Sequence, residues 1–418
     1  MAEIDDLFQA ALGLTGPWQV TRTEFDAEAR RLDLYLDFPK GARFACPEGD
    51  QPACPVHDSE PKIWRHLDFF QHQAYLHARV PRVTCPTHGT RQVALAWARP
   101  GSGFTLLFEA LLMAMLAEMP VKAVADLVGE HDTRLWRLLH HHVAQARAKL
   151  DMGEVTRVGV DETSARRGQD YVSLFVDLDA PKPRVLFATE GRDHTTVERF
   201  AADLVAHDGD PERVRDVSAD MSPAFEQGVR ASLPGAYLTW DRYHLASHAT
   251  KAVDAVRRAE AKQRPELRGT RYVWLKRPEH LTAKQAAALE GLRPASVGLA
   301  TARAYRWRLA FDAFFQQPRG LAEDYLERWY AGAIRSRLEP IMAFARMIGD
   351  HWEGVLRWHW TKINNGVLEA INSLVQASKR RARGYRNKKN LIAMIYLIAG
   401  RLDFSPTPGP RRCVVMSG

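Results

Sequence analysis

Cysteine is scarce in this chain, with four residues among 418, and three of the four fall between positions 46 and 85. So few thiols, so close together, do not make a disulfide framework; they point to metal binding or to reduced side chains. Long apolar runs are missing too. No segment reaches the ~20 residues that span a bilayer, and the longest candidate, 104–117, is broken by Glu109. The opening MAEIDDLFQA is acidic, with no basic n-region, so no signal peptide, no membrane partner and a cytoplasmic location are expected. A GxxxxGK[ST] loop is absent, which excludes a P-loop motor. A G-x-S-x-G elbow is absent, which excludes that form of serine hydrolase. His140, His141 and His142 stand mid-helix and make a poor catalytic metal pair.

Hydrophobic content of 46% supports real cores, and the length fits two to four domains. The net charge is +8 with a pI near 9.3, although 50 acids are present. A mixed surface with a basic excess is compatible with a polyanionic partner. Arg31-Leu-Asp-Leu-Tyr-Leu-Asp37 alternates as a strand does, residues 41–100 are rich in Cys, His, Pro and aromatics, and 104–150 has helical periodicity. From Arg157 the pattern predicts the order β-β-β-α-β-α-β, with AYLTWDRYHL as the last strand. Residues 250–350 read as nearly all helix. NNGVLEAINSLV (364–375) starts another helix, with Val367, Leu368, Ile371, Leu374 and Val375 on an apolar stripe. Asn365, Glu369, Asn372, Ser373 and Gln376 form a polar one. A basic run, KRRARGYRNKKN, follows, and the segment after Phe404, which holds Cys413, has the composition of a disordered tail.

Two C-P-x-H pairs, Cys54/His57 and Cys85/His88, each place two ligands a tight turn apart, as a small tetrahedral zinc site requires. Cys46 makes five candidates for four positions. A structural zinc site would stand in for a core that so short a segment rarely builds; the alternative is reduced core cysteines with surface histidines. Downstream, PVKAVADLVGEHDTRLWRLLHHHVAQARAKL reads as helix, turn, helix. Pro120 opens the first helix, Gly129 closes it, and Asp132-Thr133 caps the second. Leu135, Leu138, Leu139 and Val143 supply packing, while Arg134 and Arg137 are candidates for DNA contact. Any helical hairpin shares this pattern.

Asp161 ends the first strand of the β-rich block and Asp220 ends the fourth. If the two strands are neighbours, the carboxylates lie side by side and repel unless a cation intervenes. Two-metal phosphoryl-transfer sites use such pairs, and Glu369 is the candidate third acid. An acid in a first helical turn is also favoured by the helix dipole alone. Glu162, Asp177, Asp179 and Asp216 compete; alternation should turn Glu162 to the opposite face from Asp161.

VGVDETS, SADMSPAF, WDRYH and NNGVLEAINSLVQASKRRARGY resemble the signatures of DDE transposases of bacterial insertion sequences. WRHLDFF, ARVPRVTCPTHG and MPVKAVADLVGEHDTRLWRLL narrow the resemblance to the ISL-three type. It covers the chain from about Cys46 to Phe404. It implies an α/β ribonuclease-H-like catalytic core interrupted by an all-α insertion, with N-terminal zinc-binding and helix-turn-helix modules. It implies a triad of Asp161, Asp220 and Glu369 binding two Mg²⁺ or Mn²⁺ ions, and a D-x-x-H motif, Asp241 and His244, near the active site. One departure stands out. The family usually begins its zinc region with C-P-x-C, and here the second position is Gly49. Either His57 takes over, or Cys46 binds without its usual neighbour.

The expected organisation is a zinc-binding region at 1–100, a helix-turn-helix at 101–152, and the first part of the core at 153–250. A helical insertion follows at 251–350, then core completion with the Glu369 helix and basic run at 351–405, and a disordered tail at 406–418. Lys379, Arg380, Arg381, Arg383, Arg386, Lys388 and Lys389 follow Glu369 directly and are candidates for phosphate contact. RYVWLKR (271–277) and ARAYRWRL (302–309) could stack on unpaired bases or simply pack. The function expected is binding of inverted repeats at insertion-sequence ends, cleavage there, and joining of the 3′-OH to target DNA by two-metal phosphoryl transfer. Joining two ends calls for a dimer or higher oligomer on DNA, and association with the nucleoid when bound. The alternatives are a catalytically silent DNA-binding regulator and a ribonuclease-H-like nuclease; retention of all three acids favours the transposase.

Overall fold

The computed structural model describes residues 2–49, 53–166, 170–292, 298–363 and 366–404. Asn364, Asn365 and the segment holding Cys413 lie outside the described residues. The chain divides into two compact units, one reaching to His141 and the other His142–Asp403.

The first unit opens with α1 (Ala2–Ala11) and continues through β1 (Gln19–Asp26), β2 (Arg31–Asp37), β3 (Arg43–Phe44), β4 (Cys54–Arg65), β5 (Gln73–Cys85) and β6 (Gly89–Gln92). The sheet order is β1-β2-β5-β4-β3, with β6 paired to β5. The alternation in β2 buries Leu32, Leu34 and Leu36 and leaves the residues between them part-exposed. Trp18, Trp64, Leu76, Val83 and Trp97 join them, so this region builds an apolar core of its own rather than leaving that role to a metal. Trp18 meets Trp97 edge-on at 4.8 Å between ring centroids, a favourable aromatic arrangement.

Three helices follow: α2 (Leu106–Glu118), α3 (Val121–Val128) and α4 (Asp132–Arg147). Pro120 is the N-cap of α3 and Gly129 its C-cap, left-handed at φ +69°. Leu135, Leu138, Leu139 and Val143 of α4 are all buried, as their spacing predicts. No helix among the described residues is long and apolar enough to cross a membrane.

The second unit contains β7 (Arg157–Arg166), β8 (Asp170–Asp177), β9 (Arg184–Glu190), α5 (His194–Val205), β10 (Asp216–Ala219), α6 (Pro223–Ser232) and β11 (Tyr237–Trp240). The sheet order is β11-β10-β7-β8-β9. Strands β7, β8 and β9 are antiparallel, whereas β10 runs parallel to both β7 and β11. Val158 and Val160 of β7 belong to the core beneath α5 and α6, with Phe175 stacked on Phe200. Gly159, between them, faces the other side of the sheet.

Asp241 is not a strand residue. It caps α7 (Arg242–Glu260), accepting from the Tyr243 amide at 2.8 Å. An Asp followed by helix formers satisfies an orphan amide of the first turn, and that outweighs strand propensity here. Helices α8 (Arg271–Leu275), α9 (Ala283–Gly291), α10 (Ala300–Phe314), α11 (Arg319–Ala333), α12 (Glu339–Asp350) and α13 (Trp352–Thr361) follow, with no strand among the described residues. Their core includes Trp274, Tyr305, Phe311, Phe314, Trp329 and Phe344. Trp274 and Tyr305 of the two Arg/aromatic segments therefore pack inward; Tyr272 stays exposed.

The chain then returns to the sheet through α14 (Gly366–Arg381) and α15 (Lys388–Ala399). Leu368, Ile371 and Val375 are the buried face of α14, whereas Leu374, on the stripe predicted to be apolar, is exposed.

Candidate active site and metal centre

The absence of a side chain at Gly159 lets α14 close on β7. A Cβ there would lie 2.8 Å from Leu368 Cδ2, nearer than carbon atoms pack. The polar face of α14 then follows the same strand. Asn372 Nδ2 donates to Asp161 Oδ2, and at 3.4 Å to the Glu162 carbonyl. Gln376 Nε2 donates to Thr163 Oγ1 at 2.7 Å, and Lys379 Nζ to the Ser164 carbonyl at 2.6 Å. These residues recur at positions 372, 376 and 379, so one helix face is clipped to one strand. Asn372 and Gln376 are thus engaged with the sheet through their amide nitrogens.

Between the strand and the helix lies an open cleft of about 390 Å³, lined by Asp161, Glu162, Asp241, His244, Glu369 and Asn372 among others. Asp161 is half-buried, and its Oδ1 accepts the Glu162 amide at 2.7 Å. Burial pushes its carboxyl up to about 6; the Glu162 amide and His244 oppose this, while Asp241 and Asp220 add to it. Asp220 follows β10 directly, and β10 and β7 are parallel neighbours, as the paired-acid reading requires. Asp220 Oδ1 is buried without a hydrogen-bond partner among the described residues. Glu369 is exposed at the first turn of α14. Asp241 is buried, and its Oδ2 lies 3.3 Å from His244 Nδ1, an ion-pair distance without a hydrogen bond to that nitrogen among the described residues.

Glu162 does not turn away. It lines the same cleft, and burial pushes it to about 7, with Asp220 and Asp161 adding and Arg192 opposing. The parallel ladder stops at Ser218↔Gly159, while β7 runs on to Arg166. Beyond that point β7 has an open edge, and residues of both parities reach the cleft. The other competing acids are engaged elsewhere. Asp177 pairs with Arg184 at 3.1 Å, Asp179 accepts the Thr156 and Arg157 amides at 2.8 Å each, and Asp216 pairs with Arg357 at 2.8 Å. Asp161, Glu162, Asp241 and Glu369 line this cleft, while Asp220 is not among its lining residues and follows the neighbouring strand; carboxylate oxygens are the hard donors that a divalent cation takes.

In the first unit, one atom each of Cys46, Cys85 and His88 lies within 4.8 Å of the others. His88 Nδ1 is 3.5 Å from Cys85 Sγ and 3.6 Å from Cys46 Sγ. Cys85-Pro-Thr-His88 forms the tight turn between β5 and β6, closed by Gly89 at φ +70°. The His88 amide, with that of Thr87, holds the Cys85 thiol down to about 6. Cys54 is buried close to both cysteines; burial raises its thiol, and Cys85 and Cys46 add to the effect. Cys54-Pro-Val-His57 makes no turn. It lies along β4, whose register shifts at His57, and His57 is exposed and outside the group. Three cysteines and a histidine are a donor set that fits zinc.

The basic candidates divide in two. Arg134 bonds Glu130 at 2.5 Å and the Gly103 carbonyl at 3.2 Å and lies over the Phe104 ring. Lys379 is clipped to β7, and Lys388 pairs with Asp170 and Glu190 at 2.9 and 2.8 Å. Arg137, Arg380, Arg381, Arg383, Arg386 and Lys389 are exposed.

Comparison with known proteins agrees along the chain. Residues 158–395 match a transposase family model, the DDE transposase of ISL3 type. Residues 93–143 match the helix-turn-helix domain of transposase family ISL3, and 42–88 the zinc-finger of transposases IS204/IS1001/IS1096/IS1165. The transposase for insertion sequence element IS1557 of Mycobacterium tuberculosis is 28% identical, over 82% of this chain and 83% of its own. The transposase for insertion sequence element IS1001 of Bordetella parapertussis is 28% identical, over 90% of this chain and 94% of its own.

Proposed function

The chain belongs to the ISL3 family of DDE transposases, DNA-binding enzymes that cut and transfer DNA, and from that premise we propose that the cleft between β7 and α14 is where the phosphodiester is cut. Asp161, Asp220 and Glu369 are the catalytic acids. The observation that carries this reading is the cleft itself. Strand β7 and helix α14, far apart in the chain, bring Asp161, Glu162 and Glu369 to one hollow, and Asp220, its Oδ1 buried and unpaired among the described residues, directly follows the strand next to β7. The sheet order β11-β10-β7-β8-β9 with its two parallel pairs, interrupted by α7–α13, supports a ribonuclease-H-like core with a helical insertion.

The three acids would hold divalent ions, Mg²⁺ or Mn²⁺, whose charge activates the attacking oxygen and stabilises the leaving 3′ oxygen. Asp161, in the middle of β7 rather than at its end as the sequence suggests, and Asp220, directly after β10, are both held by the sheet, which keeps them in register before DNA arrives. The Asp241–His244 pair borders the same hollow, where the imidazole can contact a phosphate oxygen or move a proton. Arg137 on α4 and the exposed Arg380, Arg381, Arg383, Arg386 and Lys389 contact phosphates, the last five close behind Glu369 in the chain. Arg134, Lys379 and Lys388 act mainly by holding the fold. Cys46, Cys54, Cys85 and His88 hold a structural zinc, with Cys54 supplying the ligand that Gly49 cannot. Inverted-repeat ends and target DNA are the partners, and a dimer or larger assembly on DNA joins the two ends.

The test is incubation of the protein with Mg²⁺ and DNA carrying the inverted repeats that flank its gene. Wild type cuts at the ends, and Asp220→Ala binds them without cutting. Unchanged cutting by Asp220→Ala would remove the assignment, and well-bound but uncut ends with wild type would favour the silent regulator.

A further inference from the structure

Asn372 stands three residues after Glu369 on α14 and reaches back to the strand that carries Asp161. Its amide nitrogen donates to Asp161 Oδ2, while Asp161 Oδ1 takes the Glu162 amide at 2.7 Å. Both oxygens of this carboxylate therefore have a donor, one from its own strand and one from the helix that bears Glu369. The second bond from Asn372, to the Glu162 carbonyl at 3.4 Å, ties the amide to the backbone beside that acid. Gln376 and Lys379 continue the docking along β7, but they touch Thr163 and Ser164 and no carboxylate.

We propose that Asn372 is a positioning residue for the metal-binding acids: it fixes the carboxylate plane of Asp161 and the spacing between Asp161 and Glu369. The inference rests on the reading of those two residues as metal ligands. A neutral donor suits the place. A carboxylate there would repel Asp161, and a lysine or arginine would compete with a cation. With the amide in place, each Asp161 oxygen keeps a free lone pair for a metal and the carboxylate cannot rotate. Removing a hydrogen-bond partner that orients a ligand typically weakens metal affinity by about 10–100-fold.

The test is Mn²⁺ binding to the zinc-loaded full-length protein, read from the spectrum of free Mn²⁺, in Asn372→Ala, Gln376→Ala and Asp161→Asn. Asn372→Leu, which keeps the volume, is the second variant should alanine disturb the fold. Both Asn372 variants are expected to bind Mn²⁺ about 10–100-fold more weakly and to need correspondingly more metal for cleavage, with DNA-end binding in chelator unchanged. Gln376→Ala, which loosens the same helix without touching a carboxylate, is expected to keep wild-type Mn²⁺ affinity. Wild-type affinity in both Asn372 variants, or an equal loss in Gln376→Ala, would overturn the inference. Asp161→Asn separates the two levels. If it loses Mn²⁺ while the Asn372 variants do not, the inference alone fails; if it keeps Mn²⁺, the reading of the site fails first.

Discussion

His57 and Cys54 show how far a spacing rule reaches for single residues. C-P-x-H occurs twice, and only one copy makes a turn. In the other, the motif lies within β4, whose register shifts at His57, and His57 is left exposed. Sequence spacing cannot distinguish these cases, because the strand pairing that holds the segment extended, with β3 and then β5, is set by distant residues. Glu162 was hidden for a related reason. Alternation says which face a side chain takes but not where the sheet ends beside it, and β10 stops short of Asp161, leaving β7 paired there with β8 alone. Asp161 and Asp220, by contrast, were legible as acids at the ends of short apolar runs. The zinc ligands can be counted directly. Cys54→Ser is expected to release zinc and destabilise the first unit, whereas His57→Ala keeps one zinc per chain, with metal content after desalting and thermal unfolding as the readouts. Zinc retained by Cys54→Ser and lost by His57→Ala would reverse the assignment.

Among the elements, α14 was legible as an amphipathic helix, but the purpose of its polar stripe was not. The polar residues at 372 and 376 are spent on β7. Nothing in a helix's own sequence names the partner of its polar face. The docking depends as much on β7, because Gly159 leaves room for Leu368. Gly159→Ala is therefore expected to cost about 1–3 kcal/mol by overpacking and to slow cleavage by displacing Glu369 from Asp161. Denaturant unfolding and the end-cleavage assay check the two effects; full stability with full cleavage would mean that this close approach does not set the cleft. The helical region was legible in type and not in packing. Its Arg/aromatic segments carry no mark that separates Trp274, which is buried, from Tyr272, which is exposed.

For the whole molecule, charge and burial give two further expectations. DNA binding should weaken with salt. Replacing Arg381, Arg383 and Arg386 with Ala should reduce the log–log salt slope by about 0.9 for each phosphate no longer neutralised, as binding of end DNA at several salt concentrations would reveal. An unchanged slope would move the DNA-binding surface elsewhere. Stability should also fall in mild acid. Burial, reinforced by Arg65 and Lys362 respectively, holds His66 and His359 down to about 4 from an ordinary 6.5. The native state therefore binds fewer protons than the unfolded chain between those values. The stability these residues contribute is complete above pH 6.5 and is lost as pH falls towards 4. The unfolding midpoint between pH 7 and 5 is expected to decline, less steeply in His359→Gln.

The central claim is that Asp161, Asp220 and Glu369 share divalent metal in one cleft. Fe²⁺ with ascorbate and peroxide, in place of Mg²⁺, cuts a polypeptide backbone next to the bound ion. Mass spectrometry of the fragments should place cuts near positions 161, 220 and 369, suppressed by excess Mg²⁺ and absent in Asp161→Asn. Cuts confined to other segments, or cuts at these three that persist in Asp161→Asn, would contradict the claim.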